Sequence, residues 1–178
     1  MDPSRLARVL DPAFVADLAS LPMAELRSRR TDGDELEAGV SMLRRMAQGR
    51  LDIVAAEQRR RRDGGEHVGG DDHLVADLTE ILSDRGRTPG LGRLPRVMTP
   101  SADDVDTSEL DHIAPPSVMG GIGDAADDDL AALVERLSAY EAEVSVRRQA
   151  LFGVVDALQA EITRRYKTGE ATVETLLQ

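Results

Sequence analysis

Apolar residues recur at alternating steps of three and four along two long stretches of the chain. In the first, Leu36, Val40, Leu43, Ala47 and Val54 form a seam broken only by Arg50. In the second, Leu130, Leu133, Leu137, Tyr140, Val144, Leu151, Val154 and Leu158 form a seam broken only by Arg147. Such spacing puts each set on one stripe of a helix, the a/d seam of a coiled coil. The pattern predicts helix one over 34–62 and helix two over about 128–167, within a segment 127–168 that Asp127 to Asp129 cap and Gly169 stops. A tail, 169–178, has room for one more short helix. Each long helix carries a single apolar stripe, so each needs a partner, and the simplest partner is the other.

Residues 1–33 predict short helices. Asp11-Pro12 is a cap followed by Pro at the first helical position and opens a helix to about residue 20. Ser20 and Pro22 suggest a second start, running through LPMAELRSRR until Asp32-Gly33 interrupts it. Helix one ends in EQRRRRD, where arginines suit the negative end of the helix dipole; a nucleic-acid patch is the alternative reading of those four.

Between the long helices, residues 63–126 form an acidic segment rich in Gly and Pro. Residues 63–125 hold 13 Asp and Glu against 4 Arg, together with 10 of the 15 Gly and 5 of the 8 Pro. It reads as a mostly disordered linker. One insert resists that reading: in DDHLVADLTEILSDRG, Leu74, Leu78, Ile81 and Leu82 keep helical spacing, which predicts a short helix over about 72–85. All three His (67, 73 and 112) fall in this segment without metal-ligand partners at helical spacing, so solvated linker His is the plain reading.

Composition narrows the class. The chain has 178 residues, 41% of them apolar, yet only two Phe, two Tyr and no Trp. Aromatic side chains dominate compact cores and small-molecule pockets, so their scarcity points to paired long helices. The absence of Cys excludes disulfide and thiol chemistry. No apolar run approaches the ~20 residues of a membrane span, and MDPSRLARVLDP lacks the layout of a signal peptide; the expectation is a cytoplasmic protein. A net charge of −11 argues against direct DNA binding.

The polar residues beside the seams carry the chemistry. Glu37, Ser41, Arg44, Gln48 and Asp52 share one stripe of helix one, roughly 22 Å long at 1.5 Å per residue. With Leu36 and Leu133 both labelled d, they occupy e, b, e, b and f; Glu141, Ser145, Arg148, Phe152 and Asp156 occupy the same positions in helix two. Four of the five residue types match at identical spacing, Glu-x3-Ser-x2-Arg-x3-(Gln/Phe)-x3-Asp. Ser is disfavoured in helix interiors, so its recurrence in register is informative. The first motif is centred about 18 residues before the end of its helix and the second about 21 after the start of its own. An antiparallel pair therefore sets them at nearly one height, where a parallel pair offsets them by roughly 16 Å. The linker itself decides nothing, since a coil of its length spans either arrangement.

No His lies near either motif to serve as a base for a nucleophilic Ser, and a di-metal bundle needs Glu-x-x-His pairs in the core. The set fits a guanine nucleotide better. Arg offers two parallel donors to guanine O6 and N7, a carboxylate accepts from N1–H and the 2-amino group, and an Arg on an acidic protein is a local phosphate clamp. Repetition implies a ligand with its own two-fold character.

The paired motifs resemble the signature of the RsiG family of actinobacterial anti-sigma factors, present once in full and once with Phe152 in place of Gln. The resemblance implies an all-α fold, an antiparallel coiled coil that binds a partly intercalated pair of cyclic di-GMP molecules and no metal. It also implies that the liganded protein captures a WhiG-type sporulation sigma factor and keeps it from RNA polymerase. A single chain in that complex is the expectation, with a homodimer that pairs two copies of helix one as the alternative. Carried over residue by residue, Arg44, Arg148, Asp52 and Asp156 hold guanines and phosphates, while Glu37, Glu141, Ser41, Ser145 and Gln48 complete the shell. Phe152 departs from the pattern: its ring either lies against a guanine or, beside Leu151 and Val155, widens the seam. The competing readings are a structural coiled-coil adaptor without a ligand and, more weakly, a cyclic-dinucleotide hydrolase.

Overall fold

The computed structural model describes residues 3–64 and 105–170. Among them all regular structure is helical. Helix α1 (Pro3–Leu10) is followed by two 3-10 turns, Pro12–Val15 and Leu18–Ser20, and by the long helix α2 (Met23–Arg62). After the gap come α3 (Ser108–Ile113), α4 (Pro116–Gly120), a 3-10 turn at Ile122–Asp124 and the long helix α5 (Asp127–Thr168). The predicted helix at 72–85 and the tail beyond 170 lie outside the described residues. Gly169 adopts a left-handed φ of 76° directly after α5, the conformation that ends helices without a Cβ clash.

The described residues divide into two compact units, one of 3–44, 105–106 and 143–170, the other of 45–64 and 107–142. In each unit a stretch of α2 packs antiparallel to a stretch of α5. In the first, Arg27 Nη2 donates to the Tyr166 hydroxyl at 2.6 Å and Arg148 Nε to Glu37 at 3.2 Å, so numbers rise on one helix as they fall on the other. In the second, Gln48 meets Glu141 and Arg61 meets Asp127. The predicted seam of helix one is buried as read: Leu36, Val40, Leu43, Ala47 and Val54 are in the core. Each fully buried Leu or Val of this kind contributes about 1.5–3 kcal/mol.

Four expectations need correction. First, α2 does not begin near 34; it runs unbroken from Met23 through Asp32 and Gly33. Glycine inside a helix costs about 1 kcal/mol relative to Ala, but Gly33 is buried against α5, and a Cβ there would lie 2.9 Å from Val155 Cγ2. Asp32 is engaged too, accepting from Arg5 and Arg8 of α1, while Glu35 accepts from Arg5 at 2.5 Å. Tertiary contacts override the local break signal.

Second, the Asp11-Pro12 cap opens a 3-10 turn and not a helix to residue 20. Asp11 Oδ1 accepts from Ala13 N at 2.8 Å, but Asp17 turns left-handed at φ 52° and ends that path. The segment is pinned by its neighbours. Phe14 is buried, with the guanidinium groups of Arg8 and Arg29 5.8 and 5.0 Å from its ring.

Third, the seam of α5 leaves the heptad. Val155 is buried and Val154 only half-buried, and the core continues through Leu158 and Ile162. A straight α-helix drifts about 20° per heptad relative to a strict 3.5-residue repeat. Over several turns this moves the buried position from d to e and brings Arg148, rather than Arg147, to the edge of the stripe.

Fourth, the acidic linker is not uniformly unstructured. Residues 108–124 form α3, α4 and a 3-10 turn, with Leu110, Ala114 and Ile122 buried. Arg50, the polar break in the seam of helix one, accounts for this. Its Nη1 donates to the carbonyls of Leu110 and Ala114 at 3.0 and 2.8 Å, and its Nη2 to Asp111 Oδ1 at 2.6 Å. Helix ends leave carbonyls without intrahelical partners, and here a buried-side Arg supplies the donors. The Thr107 hydroxyl and the Arg50 guanidinium hold the Asp111 carboxyl below the usual carboxylate range.

The internal repeat reaches well beyond the five-residue motif. The two long helices start 104 residues apart, as do the 3-10 turns at Leu18 and Ile122. Glu57-x2-Arg60-Arg61 recurs as Glu161-x2-Arg164-Arg165 with the same offset. Its contacts recur as well. Arg165 donates to the carbonyls of Leu18, Ala19 and Leu21; Arg61 donates to those of Ile122, Gly123 and Ala125. In each unit, the last turns of one long helix hold the 3-10 turn that precedes the other.

Candidate ligand-binding site

The motif residues of the first unit form a continuous polar network. Glu37 and Ser41 lie one turn apart on α2, a spacing at which helix side chains meet. The Ser41 hydroxyl donates to Glu37 Oε1 at 2.5 Å. From α5, Arg148 Nε donates to Ser41 Oγ at 2.8 Å and to Glu37 Oε1 at 3.2 Å. The single hydroxyl proton of Ser41 therefore goes to the carboxylate while its oxygen receives Arg148, which fixes the direction of every bond in the trio. The Arg148 guanidinium carbon lies 4.6 Å from the centroid of the Phe152 ring, one turn further along the same helix. Arg44, Ser145 and Phe152 are half-buried in this unit and Asp156 is exposed.

The second unit holds the remaining three motif residues. Gln48 Nε2 donates to Glu141 Oε1 at 3.2 Å, and Asp52 is half-buried on the same helix as Gln48. The two motifs thus meet residue to residue: Glu37 and Ser41 of the first hold Arg148 of the second, and Gln48 of the first holds Glu141 of the second. The sequence predicted that both motifs flank the seam; it did not predict that they bond to each other. The signal that could have shown it was present in the spacing, because a 3.6-residue stripe carries Arg148 toward α2.

Exposure sets the strength of these contacts. The side chains of Arg148 and Glu37 are 33% and 22% exposed, an environment in which an ion pair contributes at most about 1 kcal/mol. The network is a positioning device more than a source of stability. It also leaves capacity for a ligand: among the described residues neither terminal nitrogen of Arg148 has a hydrogen-bond partner.

Sequence reasoning missed the roles of Arg50, Arg61 and Arg165. Arg61 and Arg165 were legible only as helix-end cations, and their targets are backbone carbonyls that no motif marks. Among the described residues no group of His, Cys, Asp or Glu is placed to hold a metal ion, and no helix is long and apolar enough to cross a membrane.

A two-helix antiparallel scaffold with a polar motif repeated on its facing edges defines the class. The family described as RsiG-like matches residues 12–82 and 119–178, and the chain belongs to that family. The match covers both motifs, both long helices and the 3-10 turns that precede them. Membership suggests an anti-sigma role and implies a sigma factor as the class of partner. Comparison with curated proteins gives no match.

Proposed function

We propose that this chain is a cytoplasmic anti-sigma factor that binds cyclic di-GMP, two molecules of it, and in that state sequesters a WhiG-type sporulation sigma factor from RNA polymerase. Nine of the ten motif residues serve that site directly. Arg44 and Arg148 donate to guanine or phosphate oxygens, and Asp52 and Asp156 accept from guanine N–H groups. Glu37, Ser41, Gln48, Glu141 and Ser145 orient them.

The observation that carries this reading is the capture of Arg148 by Glu37 and Ser41. A guanidinium fixed through Nε presents its terminal N–H groups as a preset fork, the geometry suited to guanine O6 and N7 or to two phosphate oxygens. The arrangement supports binding rather than catalysis: it offers directional donors and acceptors, and the Ser41 hydroxyl proton is committed to Glu37.

Calorimetric titration with cyclic di-GMP, alone and with the candidate sigma factor, tests the proposal. The expected result is two ligand molecules per chain and tighter sigma binding in their presence. Absence of heat at micromolar to millimolar ligand would leave the structural-adaptor reading in its place, and release of linear dinucleotide would favour a hydrolase.

A further inference from the structure

We infer that Phe152 is a positioning residue: its ring holds the Arg148 guanidinium in the orientation that reads the ligand, taking over by stacking what a hydrogen-bonding side chain does at the equivalent place in the first motif. The inference rests on the proposed ligand reading and extends it to the one position where the two motifs differ.

Four observations converge on it. Gln48, the counterpart of Phe152, donates to Glu141. The corresponding bond from residue 152 to Glu37 cannot form, because a phenyl ring has no donor. Glu37 is satisfied instead by Ser41 and Arg148. Arg148 is thereby drawn onto the ring face, its guanidinium carbon 4.6 Å from the centroid, inside the ~6 Å range in which a cation is attracted by the ring quadrupole. Nε is held by two acceptors and the plane is held by the ring, so rotation about the last bonds of Arg148 is restrained from both sides. What remains outward is the pair of terminal nitrogens, which have no hydrogen-bond partner among the described residues.

Phe152 is half-buried and the ring face toward Arg148 is occupied. Its contribution to ligand binding is assigned to its hold on Arg148 rather than to a stack on guanine. Loss of the cation–π contact should cost about tenfold in affinity.

The test uses the full chain with Phe152→Leu, which keeps an apolar side chain of similar bulk, and Phe152→Tyr, which keeps the ring. Nitrogen-15 NMR of the arginine side chains follows rotation of the Arg148 guanidinium in ligand-free protein, with Arg148→Lys identifying the signal. Calorimetry with cyclic di-GMP then follows affinity. The inference expects Phe152→Leu to speed the rotation and weaken binding about tenfold, and Phe152→Tyr to restore both, with helicity unchanged in all. Unaltered rotation in Phe152→Leu overturns it. So does weakened binding with Arg148 still restrained, which would place the ring against the ligand, and so does freed rotation with unchanged affinity. Should the unsubstituted protein not bind cyclic di-GMP, the ligand reading fails separately, and the rotation measurement still decides whether the ring holds Arg148.

Discussion

Ser41 on α2 and Arg148 on α5 share a hydrogen bond of 2.8 Å in which the serine oxygen accepts from Nε while its proton goes to Glu37. A residue type that helix interiors disfavour is thus the hinge point of a bond between the two motifs. Ser41→Ala should cost about 1 kcal/mol of stability, a normal value for one hydrogen bond. Affinity for cyclic di-GMP should fall about tenfold as Arg148 loses a fixed partner. Titration calorimetry and a thermal melt read the two effects; unchanged affinity would show that Arg148 needs no such support.

Arg44→Ala should abolish cyclic di-GMP binding while leaving helicity intact. The motif places Arg44 as the counterpart of Arg148, and a bidentate guanine contact is worth about 1–3 kcal/mol. Two ligand molecules stacked on one another should be lost together. Circular dichroism with calorimetry checks it, and retained affinity would sink the ligand assignment.

Two glycines in the long helices should respond in opposite directions to the same change. At Gly153 an added Cβ meets nothing within 4 Å, so Gly153→Ala should stabilise by about 1 kcal/mol through helix propensity. At Gly33 the Cβ would press on Val155 Cγ2 at 2.9 Å, and Val is stiff about χ1. Overpacking of that kind costs about 1–3 kcal/mol, enough to cancel the propensity gain and leave Gly33→Ala destabilised. Thermal melts of both variants give the comparison, and a stabilised Gly33→Ala would contradict the close approach.

Leu110→Ala should free the segment 107–126 without unfolding the long helices. Leu110 is fully buried, and removing such a side chain costs about 2–5 kcal/mol. Arg50→Ala should do the same by stripping donors from the carbonyls of Leu110 and Ala114. Hydrogen exchange should show fast exchange over α3 in both variants, with slow exchange retained over the middle of α2. Uniform loss of protection would mean that the segment and the long helices fold as one cooperative element.

Acid should destabilise the fold through two matched sites. Hydrogen bonds from Arg60 and then Arg61 bring the Glu57 carboxyl down from an ordinary 4.5 to about 2. Arg164 and Arg165 do the same for Glu161. A carboxylate with a depressed folded-state pKa adds stability that is present above its unfolded value, about 4.5, and lost as pH falls through about 2. The melting temperature should therefore decline between pH 5 and 2. Glu57→Gln and Glu161→Gln should each start lower at pH 7 and decline less, and parallel curves for all three proteins would refute the assignment.

Periodicity carried most of the fold. Leu36, Val40, Leu43, Ala47 and Val54 could be placed in the core from spacing alone because apolar contacts are read directly from a helical repeat. Most of the failures share a cause: they depended on a partner the sequence does not announce. Asp32-Gly33 carries a genuine local break signal, outweighed by Val155 and the arginines of α1. Composition marks residues 107–126 as linker, while three apolar residues and two arginines of α2, Arg50 and Arg61, fold part of it. The strict heptad misplaced Val154 by one residue because it ignores the drift of a straight helix. At the site, residue types and spacing were legible, but the bonds between motifs were not, since these depend on the relative register of two helices.

The way the motifs are joined determines which of their positions can change alone. Gln48 bonds to Glu141 on the other long helix, whereas Phe152 touches Arg148 on its own. A replacement at 48 removes a bond that Glu141, some 90 residues away, accepts from the other long helix, and invites a compensating change there. A replacement at 152 leaves every bond between the motifs in place. In diverging copies of this gene, 48 and 141 should therefore be inherited as a pair, while 152 is the position where novelty enters first.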